Sequence, residues 1–308
     1  MPSFKDYGLT PIGFIDGAIK IFRSRIEVIF LWTWSTVIAT MIAGHGTPPL
    51  VPSLMILLAA ILVTCSVYTY NDVVDAEMDR TNKNKTGRPI ANGSVSKEVA
   101  MVFAVLTGLV GLALSYLVSL PSFALCLAWF IVFILYSLPG IRFKKMFIIK
   151  EVTSSSGQIF TTLMGGFAVS SVFNPSVLFA GLIFWLFTFL GVPAFADSQD
   201  VDEDAAFGVK TLARALDWRR KVQLMGIGVL FVMTVMPLTY AQLGFNVLLP
   251  ISTIVMSLIF LRWGIVPMMT GTYTTALVLK GRRIFTIYLL IIQIMTIIGT
   301  LSLGFLPF

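Results

Sequence analysis

Two stretches of this 308-residue chain repeat one arrangement of carboxylates: Asp72-x-x-Asp75-x-x-x-Asp79 and Asp197-x-x-Asp200-x-x-x-Asp204. On a helix, offsets of three and seven keep all three side chains on one face, with neighbours about 5–6 Å apart, so each set is expected to act as one ligand cluster. Hard oxygen donors without a His or Cys partner suit Mg2+. That ion binds through one or two carboxylates and completes its shell with water and phosphate, which makes a phosphorylated ligand the natural third component. Basic residues are placed to receive it. Arg80, Lys83, Lys85 and Arg88 follow the first motif, Lys210 and Arg214 follow the second, and Arg142, Lys144 and Lys145 lie on a connection between them. Metal would bridge acid to phosphate while Lys and Arg neutralise the remaining charge. Glu77, Asp202 and Glu203 fall off the shared pattern and read as solvated surface.

The elements that hold these motifs are set by composition. With 57% hydrophobic and 12% charged residues, the chain is far more apolar than a soluble domain, whose charged share is about 25%. Runs long enough to cross about 30 Å of hydrocarbon fall at 26–44, 53–70, 99–118, 122–139, 152–170, 176–195, 222–240, 246–268 and 284–303. Their continuous apolar character, rather than alternation, argues against a β-barrel. The expected architecture is an all-α integral membrane bundle of nine transmembrane helices, one domain over residues 1–308. Lys5, Asp6, Asp16, Lys20, Arg23 and Arg25 break up the first 25 residues, so no secretory signal is expected there and the first span serves as its own insertion signal.

Charge sorts by side. Apart from Arg262, every Lys and Arg lies in the N-terminal segment or in connections after even-numbered spans, and all 15 acids lie on that same side. By the positive-inside rule the N-terminus and the acidic loops are cytoplasmic and the C-terminus is outside. Most of the net charge of +7 is explained by topology and attraction to anionic lipid. The acids are not, because Asp and Glu contribute little to orientation.

These residues also resemble a known family. Asn71-Asp72-x-x-Asp75-x-x-x-Asp79, followed by Gly87-Arg88-Pro89-Ile90-Ala91-Asn92-Gly93, resembles the first signature of the UbiA superfamily of intramembrane prenyltransferases. Asp197-x-x-Asp200-x-x-x-Asp204-x-x-x-Gly208-x-x-Thr211-Leu212 is similar to the second. Tyr136-Ser137-x-Pro139 with Arg142-x-Lys144-Lys145 is similar to the stretch after the fourth helix. The resemblance implies nine helices around a central cavity capped by two cytoplasmic Asp-rich loops. It implies Mg2+-dependent transfer of a prenyl chain from its diphosphate to an acceptor, often aromatic. Asn71, Asp72, Asp75, Asp79, Asp197, Asp200 and Asp204 would hold Mg2+, and Arg25, Arg88, Tyr136, Arg142, Lys144, Lys145 and Lys210 would bind substrate. An aromatic acceptor is expected, in part because Lys150–Gln158 lacks the Gly-Asn pattern associated with the glycerol phosphate branch.

Two other functions fit the same acids. A cyclase of the same fold would ionise the diphosphate and close the chain on itself. A divalent-cation transporter would use acids near the midplane on broken helices, whereas these fall after intact apolar runs. Arg23, Arg25 and Arg262 each admit a snorkelling explanation. His45 lies in an uncharged loop on the opposite side, and Cys65 and Cys126 sit in separate spans as small apolar residues.

Overall fold

A computed structural model describes residues 10–82, 85–199, 208 and 211–302. Its elements are helices throughout, with no strand among the described residues. They are α1 (Pro11–Ser24), α2 (Ile26–Ala43), α3 (Leu50–Thr81), α4 (Lys97–Val118) and α5 (Leu120–Ser137), then α6 (Ile149–Val169), α7 (Pro175–Gly191), α8 (Trp218–Thr239), α9 (Leu248–Phe260) and α10 (Thr275–Gly299). Among the described residues, eight helices are long and apolar enough to cross a bilayer, when α7 is followed through Ala196 and α9 through Thr270. The fifth expected run also forms a helix, α6, but it is the more polar one: Thr153, Ser155, Gln158, Thr161 and Thr162 are buried along it.

Helix ends follow local chemistry. The side chains of Ser96, Asn174, Asp217 and Thr274 accept the free N–H groups of the first turns of α4, α7, α8 and α10. Between α4 and α5 a single residue, Ser119, makes the turn; its hydroxyl accepts from Ser122 N and donates to Phe167 O on α6. Helix α1 was not expected from hydropathy, because it is amphipathic rather than apolar. Thr10 caps it, Pro11 starts it, and Ile21 is buried while Ile12, Ile15 and Ile19 are exposed.

The expected end of the second span is corrected. Residues 53–86 contain no Gly or Pro, so nothing stops the helix at 70, and α3 runs 32 residues to Thr81. The first acidic motif therefore lies on the last turns of a helix, not in a loop. The second differs. Helix α7 passes into a π-helical segment over Val192–Ala196 that contains Pro193, and then into a 3-10 turn over Asp197–Gln199. A proline inside a helix removes one backbone donor and crowds the preceding turn, a common cause of such widening. The α-helical face expected to carry the second motif is thus not what holds Asp197.

Small residues bring the helices close. A Cβ on Gly165 of α6 would stand 2.6 Å from the Thr36 carbonyl oxygen of α2, and one on Gly111 of α4 would stand 2.8 Å from Val63 of α3. Below these contacts, one apolar cluster joins α2 with α7 to α10, and another joins α2, α3, α5 and α6 around Trp32, Trp129 and Phe133. The end of α3 packs through Ala76 in a third cluster with Ile21, Ile90, Val95 and Val99.

Candidate active site

The last turns of α3 carry three buried carboxylates: Asp72 is 3% exposed, Asp75 4% and Asp79 1%. A buried carboxylate without a counter-charge is very costly, so each must be paired. Arg25, at the joint between α1 and α2, forks onto Asp72, with Nε 2.8 Å from Oδ2. Arg88 lies 3.4 Å from Asp72 and contacts Asp79 directly, tying the first and last acids to one guanidinium. Arg142 meets Asp75 at 3.0 Å, and Lys144 pairs with the other oxygen of the same carboxylate. The Asn71 amide oxygen accepts from Ser137 at 2.6 Å and from Lys144 at 3.3 Å.

These groups line a cavity of about 210 Å3. Arg25, Arg88, Arg142, Lys144 and Lys145 face it together with Lys85, Lys150 and Asp197. Val67, Tyr68, Phe133 and Tyr136 form its apolar wall, with the Phe133 and Tyr136 rings 6.2 Å apart and inclined by 28°. Burial pulls the Lys144 ammonium below the ordinary lysine range, against the opposing pull of Asp75. Burial also disfavours the charged form of Arg25, but its pairing with Asp72 wins and raises its pKa above the ordinary arginine value.

The structure brings most of the expected residues together. Asn71, Asp75, Asp79, Arg25, Arg88, Tyr136, Arg142, Lys144, Lys145 and Asp197 share the cavity, and Asp72 backs it through Arg25 and Arg88. Asp200, Asp204 and Lys210 lie outside the described residues. Arg262 is exposed in a π-helical segment of α9 and Arg23 is exposed on α1, neither of them lining the cavity. Reading the sequence missed Lys150, which is 7% exposed and lies 2.6 Å from Asp197. It missed Glu151 as well, 1% exposed, which accepts the Leu212 N–H at 2.7 Å. A Lys-Glu pair opening a helix looks like solvated charge, and only the fold buries it.

Do these residues fit Mg2+? Among the described residues, no three His, Cys, Asp or Glu side chains converge as a ready-made metal cage. In the first motif the acids are turned to cations: Asp72 and Asp79 share Arg88, and Asp75 takes Arg142 and Lys144. Mg2+ does not require such a cage, since one or two carboxylates plus phosphate oxygens suffice. The acidic and amide donors facing the cavity are hard oxygens, and buried Asp79 Oδ1 makes no hydrogen bond, with Lys85 Nζ 3.5 Å away. The set fits the ion.

Partly buried cations and buried acids at the ends of apolar helices thus meet an aromatic wall in one cavity. The chain belongs to the UbiA prenyltransferase family, whose model matches residues 32–272, and it is a multi-pass membrane prenyltransferase. It is similar to the digeranylgeranylglyceryl phosphate synthase of Thermococcus kodakarensis, 24% identical over 73% of this chain and 79% of that protein. It is also similar to the lycopene elongase/hydratase of Halobacterium salinarum, 29% identical over 53% of this chain and 58% of that protein. In fold it matches a UbiA homolog from Archaeoglobus fulgidus bound to DMAPP and Mg2+, with a TM-score of 0.66 and 13% identity over 90% of this chain and 99% of that one.

Proposed function

We propose that the protein transfers a prenyl chain from its diphosphate to an acceptor in an Mg2+-dependent reaction, with an aromatic molecule as the acceptor. One observation carries this reading: Asp75, Asp79 and Asp197 face a single cavity together with seven Lys and Arg side chains. Such a surplus of cations calls for a polyanion. Asn71, Asp72, Asp75, Asp79, Asp197, Asp200 and Asp204 are the proposed metal ligands. Bound Mg2+ would supply charge neutralisation for the departing diphosphate.

The chain's own residues do the rest. Arg25, Arg88, Lys144, Lys145 and Lys150 receive the diphosphate oxygens as Asp72, Asp75, Asp79 and Asp197 give them up; Arg142 completes the anion-binding pocket, and Lys210, outside the described residues, is proposed as a further contact to the same anion. The C–O bond breaks with its electron pair leaving on the diphosphate. Positive charge develops on the allylic carbon, next to the faces of Tyr68, Phe133 and Tyr136. The same wall excludes water, which would otherwise quench that carbon. The acceptor then forms the new bond and loses a proton.

The aromatic wall of Tyr68, Phe133 and Tyr136 supports an aromatic acceptor. A second reading, a glycerol phosphate lipid, is supported by the name of the Thermococcus relative. The cyclase alternative needs no acceptor. All three are separated by incubating the purified protein with Mg2+, radiolabelled prenyl diphosphate and a panel of aromatic, glycerol phosphate and polyene acceptors. Labelled aromatic product is expected. Product made only from a glycerol phosphate lipid, or without any acceptor, overturns the aromatic proposal.

The proposal extends to placement. The basic connections carrying Arg88, Lys144 and Lys145 face the cytoplasm by the positive-inside rule, with the C-terminus outside. The chain is read as one UbiA-like domain over 1–308. Accessibility of single cysteines introduced near Lys97 and near His45 to a membrane-impermeant thiol reagent tests the orientation; labelling of the Lys97 site from outside contradicts it.

A further inference from the structure

Lys150 and Glu151 sit side by side in the first turn of α6, and both are buried. They hold different parts of one segment. Lys150 Nζ lies 2.6 Å from Asp197 Oδ2, with the two side chains 9% and 13% exposed. Glu151 accepts from the backbone of Leu212, in the short helix that follows Thr211. The Glu151 contact is to backbone and can be a fixed anchor. Lys150 is different, because it also lines the cavity and carries a compact point charge on a flexible four-carbon stem.

We propose that Lys150 is an exchangeable cation, holding the Asp197 carboxylate and passing to the diphosphate when metal and diphosphate enter, so that the two load together rather than independently. This rests on the reading of the cavity as a prenyl diphosphate site. An ammonium and a divalent cation compete for the same carboxylate, because like charges at such short range repel. Diphosphate relieves the competition, since it offers Lys150 a second anion within the same cavity. Lys150 is thus a positioning residue for Asp197 and a binding residue for the substrate. A lysine that merely braced the fold would behave otherwise, for its removal would loosen the segment and weaken every ligand alike.

The test is isothermal titration calorimetry on the purified full chain in detergent, first with Mg2+ alone and then with inorganic pyrophosphate in the presence of Mg2+. In Lys150→Met, Mg2+ alone is expected to bind about tenfold tighter than in the parent protein, and pyrophosphate about tenfold weaker. Lys150→Arg keeps the charge and is expected to retain the parent pattern. Lys150→Gln replaces the Met variant if that one fails to fold, with the same inversion expected. Weakening of both ligands, or no change in either, overturns the exchange, as does an Arg variant that behaves like the neutral ones. A parent protein that binds no pyrophosphate with Mg2+ overturns instead the reading of the cavity itself.

Discussion

Asp72, Asp75 and Asp79 ride on the end of a 32-residue helix, whereas Asp197 sits on a 3-10 turn just past a π-helical segment. The two motifs share one spacing in sequence. The first is a platform: its acids are fixed by an unbroken backbone, by packing of α3 on α4 and by cations from three other segments, Arg25, Arg88 and the Arg142–Lys144 turn. Asp197 of the second is held from outside, by Lys150 of α6, whose neighbour Glu151 holds Leu212. Matched spacing therefore does not identify a matched scaffold. Two sides of one cavity can be built by different means.

That contrast is open to direct attack. The largest effect is expected from Asp75→Ala, which removes the acid paired with both Arg142 and Lys144; prenyl transfer should fall by about 10²–10³-fold, and EDTA should abolish it until Mg2+ is restored. Steady-state assays in detergent read both. Asp197→Asn is expected to cost less, about tenfold to a hundredfold in kcat/KM, because neighbouring donors remain. Equal losses at Asp75 and Asp197 would erase the distinction between platform and held segment.

Arg88→Gln should act next, chiefly by raising KM for the prenyl diphosphate about tenfold, the scale of one lost charge-assisted contact. A drop confined to kcat would show that Arg88 serves only to order Asp72 and Asp79. The smallest catalytic effect is expected from Gly111→Leu, set beneath the platform where the added side chain meets Val63 and the Ala59 carbonyl. Overpacking of that kind costs about 1–3 kcal/mol of stability, seen as a lower thermal midpoint. Turnover below the melting range should be nearly unchanged, and a large loss of activity would mean that α3 shifts easily and is no rigid platform.

How much of this was legible in the residues alone divides along the same line. The apolar runs announced the helices, and the first motif with Gly87-Arg88-Pro89 announced the site, because both signals are local. The continuation of α3 was also readable: no Gly or Pro lies between 53 and 86, yet polar residues at its end suggested a loop. Tertiary burial overrode that polarity by supplying a cation for each acid. Lys150 and Glu151 were hidden for a different reason, since only the approach of α6 to the end of α7 makes partners of Lys150 and Asp197, 47 residues apart. Helix α1 does not stand out by hydropathy because Asp16, Lys20 and Arg23 interrupt it, although Thr10-Pro11 is a recognisable start.

The central claim is that the two motifs grip one ligand, and a double-mutant cycle tests it most directly. Affinity for prenyl diphosphate with Mg2+ is measured in the parent protein, Asp75→Asn, Asp197→Asn and the double variant. Shared grip predicts that the second substitution costs much less once the first is present, a coupling of at least about 1 kcal/mol. Strict additivity, with each substitution costing the same alone and in combination, would contradict it.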